Sequence, residues 1–139
     1  MYRRIMVPVD LEHVDHMEKA LHGAAELATS YSVPVCYVAV AGRAPNEVAA
    51  TPEQFARALE QFARDQADAH GIETSSLTMS SVDVPAELDH KLLEAIRTTG
   101  SDLVVMASHS PGVSDRLHLI GSNAAWLVRH TDVSVFVVR

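Results

Sequence analysis

Apolar positions along the chain switch between the two-residue period of strands and the 3.6-residue period of helices. Ile5, Met6, Val7 and Val9 make a short apolar run that predicts a first strand over residues 2 to 9. Pro8 lies near its end and lacks an N–H, so pairing is expected to stop about there. Met17, Ala20, Leu21, Ala24, Ala28 and Tyr31 recur at helical spacing and predict a helix from about residue 15 to 31. Pro34 to Val40 is apolar on both faces, as strands inside a parallel sheet are. Thr51-Pro52-Glu53-Gln54 then marks a helix start: a Thr cap, Pro at the first helical position and Gln three after the cap. Phe55, Leu59, Phe62 and Ala63 form that helix's buried stripe, and Gly71 ends it.

Residues 72 to 79 alternate weakly, which predicts a third strand at a sheet edge. A helix from about 85 to 99 follows, with Leu88, Leu92, Ala95 and Ile96 inward and Gly100 as its stop. Leu103-Val104-Val105-Met106-Ala107 is short and β-branched, suiting a buried fourth strand. Gly121-Ser122-Asn123 is expected to open a last helix, Ala124 to His130, that packs through Ala125 and Val128. Val133 to Val138 closes as a fifth strand. The order β-α-β-α-β-α-β-α-β predicts one α/β domain over residues 1 to 139, a parallel sheet with helices on both faces. In such sheets ligands bind beyond the strand carboxyl ends, where the strand order reverses.

The segment from Asp102 to Asn123, DLVVMASHSPGVSDRLHLIGSN, carries the clearest chemistry. A strand gives way to Ser108-His109-Ser110-Pro111-Gly112, where hydroxyl residues and a Pro-Gly pair forbid regular structure. Gly and Ser then stand at an expected helix start. Free backbone N–H groups and the positive end of the helix dipole make such a place receptive to an anion. The segment resembles the nucleotide loop of the universal stress protein family, Gly-x2-Gly-x9-Gly-Ser. Counted back from Gly121-Ser122, the two earlier glycines fall on Ser108 and Pro111, with Gly112 one residue late. The resemblance is closest to the branch reading Ala-Ser-His-x-Pro in the loop (Ala107 to Pro111) and Gly-Ser-Asn-Ala-Ala at the helix (Gly121 to Ala125). It runs from Arg4-Ile-Met-Val-Pro-Val-Asp10 to Val133-Ser-Val-Phe-Val-Val-Arg139.

That resemblance implies a doubly wound five-stranded sheet in the order 3-2-1-4-5, of the adenine nucleotide alpha hydrolase type. It implies an adenine nucleotide (ATP, AMP or ADP, with or without Mg²⁺) held between the end of the first strand and the 106–123 loop. Pro8, Val9 and Val40 would wall the adenine slot, and Met106 would stand at the end of the fourth strand. Asp10 suits a ribose hydroxyl, as acidic residues do at dinucleotide sites, or equally a local helix cap. Gly121, Ser122 and Asn123 are the phosphate candidates, with Ser108, His109 and Ser110 as further donors, Gly112 as flexible backbone and Arg116 as the one cation in the loop. The same resemblance implies a cytoplasmic regulatory stress protein, a homodimer or higher oligomer, and a protein partner, with an osmolyte transporter as one instance by analogy.

Charge and composition narrow the classes. The net charge of −7 disfavours nucleic-acid binding, since no Lys/Arg cluster can replace phosphate counterions. No apolar run approaches a membrane span, and Met1-Tyr-Arg-Arg leads straight into a strand, so neither membrane insertion nor a signal peptide is expected. The single cysteine, Cys36, allows no internal disulfide and reads as a small buried hydrophobe. No enzymatic activity and no catalytic residue are expected. There is no Gly-x4-Gly-Lys-Ser/Thr loop, and Lys19 and Lys91 fall on helices away from the crevice, whereas rapid phosphoryl transfer needs a cation clamp. Ser108-His109 with Asp10 lacks a nucleophile elbow. No metal site is expected either: His13 and His16 with Asp10 make a candidate, but eight histidines scatter over the chain and chance pairs are common. Two rivals stand beside the nucleotide binder, an empty dimeric interaction module and a slow ATP-cleaving enzyme.

Overall fold

The computed structural model describes residues 1–108 and 118–139, with the side chains of 118–122 left aside. Five strands, β1 (Ile5–Pro8), β2 (Val35–Ala41), β3 (Thr74–Ser80), β4 (Leu103–Ala107) and β5 (Ser134–Val138), form one parallel sheet in the order β3-β2-β1-β4-β5. Among the described residues four α-helices join them: α1 (Glu18–Tyr31), α2 (Pro52–His70), α3 (Val84–Thr99) and α4 (His118–His130). The expected strand order and the expected edge position of β3 are both present.

Residue parity in the strands decides which helix pair each side chain meets. Ile5, Val7, Val35, Tyr37, Ala39, Leu103 and Val105 pack under α1 and α2, against Leu21, Ala24, Phe55, Leu59 and Ala63. Their neighbours Met6, Cys36, Val38, Val104 and Met106 pack on the opposite face, against Leu88, Leu92, Ala95 and Ile96 of α3 and Ala124 and Leu127 of α4. Two apolar layers therefore sandwich a sheet whose three middle strands are buried almost throughout.

Helix ends follow local chemistry. Thr51 caps α2 by accepting from the Gln54 N–H at 3.2 Å, while Gln54 reaches back to the Ala50 N–H at 2.9 Å. Gly71 and Gly100 end α2 and α3 in the left-handed conformation that glycine adopts without steric cost. At the amino-terminal side of the sheet, Asp102 accepts from the backbone N–H groups of Arg3 and Arg4 at 3.0–3.1 Å. Partial burial raises the carboxyl's proton affinity, but these donors outweigh it and hold it below the usual range.

Three expectations need correction. β1 is shorter than residues 2 to 9, because Arg3 and Arg4 use their N–H groups on Asp102 before the ladder starts. Residues Leu11–Met17 form a 3₁₀ segment broken at His13, so the first α-helix begins at Glu18 rather than near residue 15. The last helix begins at His118, ahead of Gly121, and its inward stripe is Asn123, Ala124 and Leu127. Ala125 and Val128, expected inward, are exposed. A short helix rich in Ala and Val offers two apolar stripes one residue apart, and contact with α3 selects between them.

Tyr37 is fully buried in mid-sheet, its ring edge-on to Phe62 with centroids 5.2 Å apart, and its hydroxyl has no hydrogen-bond partner among the described residues. Burial pushes its ionisation well above the ordinary tyrosine value. An unpaired buried hydroxyl costs roughly 1–3 kcal/mol in mutational data. Tyr37→Phe is therefore expected to stabilise the fold by about 1 kcal/mol. A urea midpoint that falls in the variant would show that the hydroxyl is paired.

Candidate ligand cleft

Beyond the carboxyl ends of β1 and β2 the chain leaves a cleft of about 730 Å³. Its floor is apolar: Val38 and Val40 of β2, Phe55 of α2, and Leu88 and Leu92 of α3. One wall is the turn after β1, from Pro8 to His13. A second is the loop after β2, from Gly42 to Asn46, and a third is the entry to α3 at Val82, Val84 and Pro85. Apolar walls with a few polar groups at the rim are what small-molecule sites look like.

Each wall is fastened by side chains that accept backbone N–H groups. Asp10 caps the 3₁₀ segment, its Oδ1 taking the Glu12 N–H at 3.0 Å, while its Oδ2 lies 2.8 Å from His13 Nδ1. Asn46 Oδ1 accepts from Val48 and Ala49 at 2.8 and 3.0 Å, closing the loop after β2 on itself. Glu87 reaches back from the first turns of α3: its Oε1 accepts the Ser81 hydroxyl at 2.6 Å and the N–H groups of Val82 and Asp83 at 3.1 and 3.2 Å. The Ser81 hydroxyl, then the backbone donors, hold the Glu87 carboxyl below its ordinary value.

Of the residues anticipated from the sequence, Pro8, Val9, Asp10 and Val40 line this cleft together. Asp10 also does what its alternative reading required, capping the next turn. Met106 is fully buried in the core with Ala124 and Leu127, and its side chain does not reach the cleft. Ser108 follows β4, and its N–H continues the ladder to Val138 O at 2.7 Å. Gly121, Ser122 and Asn123 lie inside α4, so the unpaired N–H groups of that helix start belong to residues nearer His118. Asn123 is buried, and its Nδ2 has no partner among the described residues. His109, Ser110, Gly112 and Arg116 lie outside the described residues. His13 approaches Asp10 but His16 does not join them; it sits 3.7 Å from Asp15.

Sequence reading missed Arg43, Asn46, Val82, Val84, Pro85, Leu88 and Leu92 as cleft residues. The signal was available, since ligand crevices form beyond strand carboxyl ends. Both missed loops leave such ends, after β2 and after β3.

The strand order, with a cleft beyond the carboxyl ends of β1 and β2, defines a doubly wound α/β domain. The chain belongs to the universal stress protein family, whose sequence profile matches residues 1–139. It is 29% identical to Universal stress protein G of Shigella flexneri over 150 aligned residues, covering 100% of each chain. Among solved structures it resembles the universal stress protein from Archaeoglobus fulgidus in complex with dAMP (TM-score 0.68, 21% identity, 99% of this chain and 98% of that one). It also resembles a universal stress protein in complex with cAMP (TM-score 0.69, 18% identity, 99% and 97%). Among the described residues no helix is long and apolar enough to cross a membrane.

The Glu87 latch has a pH signature. A carboxyl whose folded value is lowered stabilises the fold above its unfolded value, near 4.5, and that contribution is lost as pH falls through the lowered value. Glu87→Gln should therefore be less stable than wild type at pH 7, and the gap should close below pH 4.5. Urea titrations of both proteins across that range check this; a gap that does not change with pH would mean the carboxylate's charge is irrelevant.

Proposed function

We propose that this chain is a regulatory nucleotide-binding protein of the cytoplasm that takes an adenine nucleotide in the cleft beyond β1 and β2. The observation that carries the reading is the apolar slot of Val38, Val40, Phe55 and Leu88 beside the Asp10 carboxylate. A planar base suits the slot, and a sugar hydroxyl suits Asp10, whose carboxylate is already oriented by the Glu12 N–H. Two solved relatives that share the fold hold dAMP and cAMP, which supports an adenine nucleotide over other ligands. ATP and ADP share the base and sugar with these and belong to the same reading.

The role is binding rather than turnover. Both lysines are engaged away from the cleft, Lys19 with the Arg139 carbonyl at 2.9 Å and Lys91 3.8 Å from Glu94. Arg43 is the one cation that lines the cleft among the described residues. Rapid phosphoryl transfer needs a cation clamp on the transferring phosphate, and one rim guanidinium among the described residues does not make one.

Val40 lines the slot and is only half-buried, so a larger side chain there can fill the cleft without displacing core. Val40→Trp is expected to abolish AMP and ATP binding in calorimetry while circular dichroism stays that of wild type. Binding of wild-type strength in this variant would move the nucleotide elsewhere.

The same reading includes a homodimer through residues Val133 to Val138. β5 is a sheet edge, and Phe136 and Val137 are 48% and 39% exposed on its two faces. Residues of a parallel strand bond alternately to either side, and the Val138 carbonyl bonds toward β4. The N–H groups of Val135 and Val137 therefore point outward, free to pair with a second chain. Val135→Pro removes one outward donor without touching the β4 ladder, so it should yield a folded monomer or an aggregate in light scattering. A wild type that is monomeric at micromolar concentration would refute the dimer.

A further inference from the structure

We propose that Asp10, Glu12 and His13 bind a divalent first-row transition cation at the wall of the cleft. One ligand atom from each of the three side chains lies within 4.8 Å of the other two. Ligands at about 2.1 Å from an octahedral ion stand about 3.0 Å apart when adjacent and about 4.2 Å apart when opposite. The 2.8 Å between Asp10 Oδ2 and His13 Nδ1 is thus already close to one edge of a coordination polyhedron. A metal ion replaces the proton between those atoms with little movement of either. Among the described residues no other group of three His, Cys, Asp or Glu side chains comes this close.

Local structure holds the three in place. Asp10 ends the strand-side backbone, with its N–H on Met17 Sδ at 3.3 Å and its Oδ1 on the Glu12 N–H at 3.0 Å. That leaves Oδ2 for an ion, while the second oxygen fixes the carboxylate's orientation, as outer hydrogen bonds do for metal ligands. At His13 the 3₁₀ segment breaks (φ −133°, ψ 36°), and the imidazole meets Asp10 there. Asp10 and His13 are both mostly shielded, with side chains 26% and 20% exposed. Glu12 is exposed and supplies the third, more mobile ligand.

The donor set selects the ion. One imidazole and two carboxylates suit Zn²⁺, Mn²⁺ or their neighbours; Ca²⁺ and Mg²⁺ prefer oxygen alone, and no thiolate is present to favour Cu⁺. Electrostatics agree: two carboxylates face the cleft against one guanidinium, Arg43. All three ligands also line the cleft, which leaves room for water or an anionic ligand on the remaining positions. This differs from a His13–His16 pair, because Glu12 rather than His16 completes the set.

The site shares Asp10 and the cleft with the nucleotide reading, so it is tested with metal alone. Nucleotide-free protein is titrated with ZnCl₂ and with MnCl₂ by calorimetry, alongside Glu12→Gln, His13→Gln and His22→Gln. One ion per chain is expected, with affinity reduced about tenfold or more in the first two variants and unchanged in the third. Glu12 is exposed and Gln is nearly isosteric, so that variant folds even where His13→Gln does not. Absence of binding, wild-type affinity in Glu12→Gln, or an equal loss in His22→Gln would each overturn the site.

Discussion

Pro8 stops hydrogen bonding on one side of β1 and not on the other, and the cleft depends on that asymmetry. Along a parallel strand, successive residues bond to opposite neighbours. Ile5 and Val9 donate toward β2, reaching the carbonyls of Pro34 and Val38 at 3.0 and 2.8 Å. Arg4, Met6 and Pro8 therefore face β4, and Pro8 has no N–H to give. Pairing with β4 ends at Met6 opposite Val104, while pairing with β2 continues to Pro8 opposite Val38. The two central strands part at their carboxyl ends, where the strand order also reverses. Pro8 and Val9 become cleft wall instead of further ladder.

What surrounds the cleft beyond β1 and β2 is fixed in advance of any ligand. The turns after β1 and β2 and the entry to α3 are each tied down by an acceptor side chain: Asp10, Asn46 and Glu87. Backbone N–H groups that would otherwise need water or a ligand are satisfied inside each turn. A cleft built this way meets its occupant with little ordering left to do, which lowers the entropic cost of binding. Asp10 serves twice, since the oxygen that caps the turn leaves its partner oxygen facing the rim.

The sheet and its helices were legible because their signals are strong and local. Short apolar runs marked β1, β2 and β4, and Thr51, Gly71 and Gly100 marked helix ends whose chemistry the structure repeats. The phase of α4 was not legible, because Ala124-Ala125 and Leu127-Val128 offer equivalent stripes until α3 chooses one. Half of the cleft was hidden for another reason. Val82 and Val84 carry no motif and become neighbours of Val40 only through strand pairing between β2 and β3. Pro8, Val9 and Val40 were named through the family resemblance, and Asp10 also through its place just beyond the end of the first strand.

The two edges of the sheet differ in what they present to solvent. β3 reads Thr-Ser-Ser-Leu-Thr-Met-Ser, so its outward positions are short hydroxyl side chains that water satisfies. α2 leans over that edge, and Thr74 Oγ1 donates to the Ala63 carbonyl at 2.7 Å. β5 reads Ser-Val-Phe-Val-Val and carries no proline, lysine or inward charge. Its β-branched run makes it a good strand within the sheet, and the same run leaves apolar surface beside unpaired N–H groups. A strand that needs Val135 and Val138 inward to close the two cores cannot also be polar by simple alternation, because both faces of this sheet are covered. The apolar surface at this edge is thus a consequence of burying the sheet on both faces.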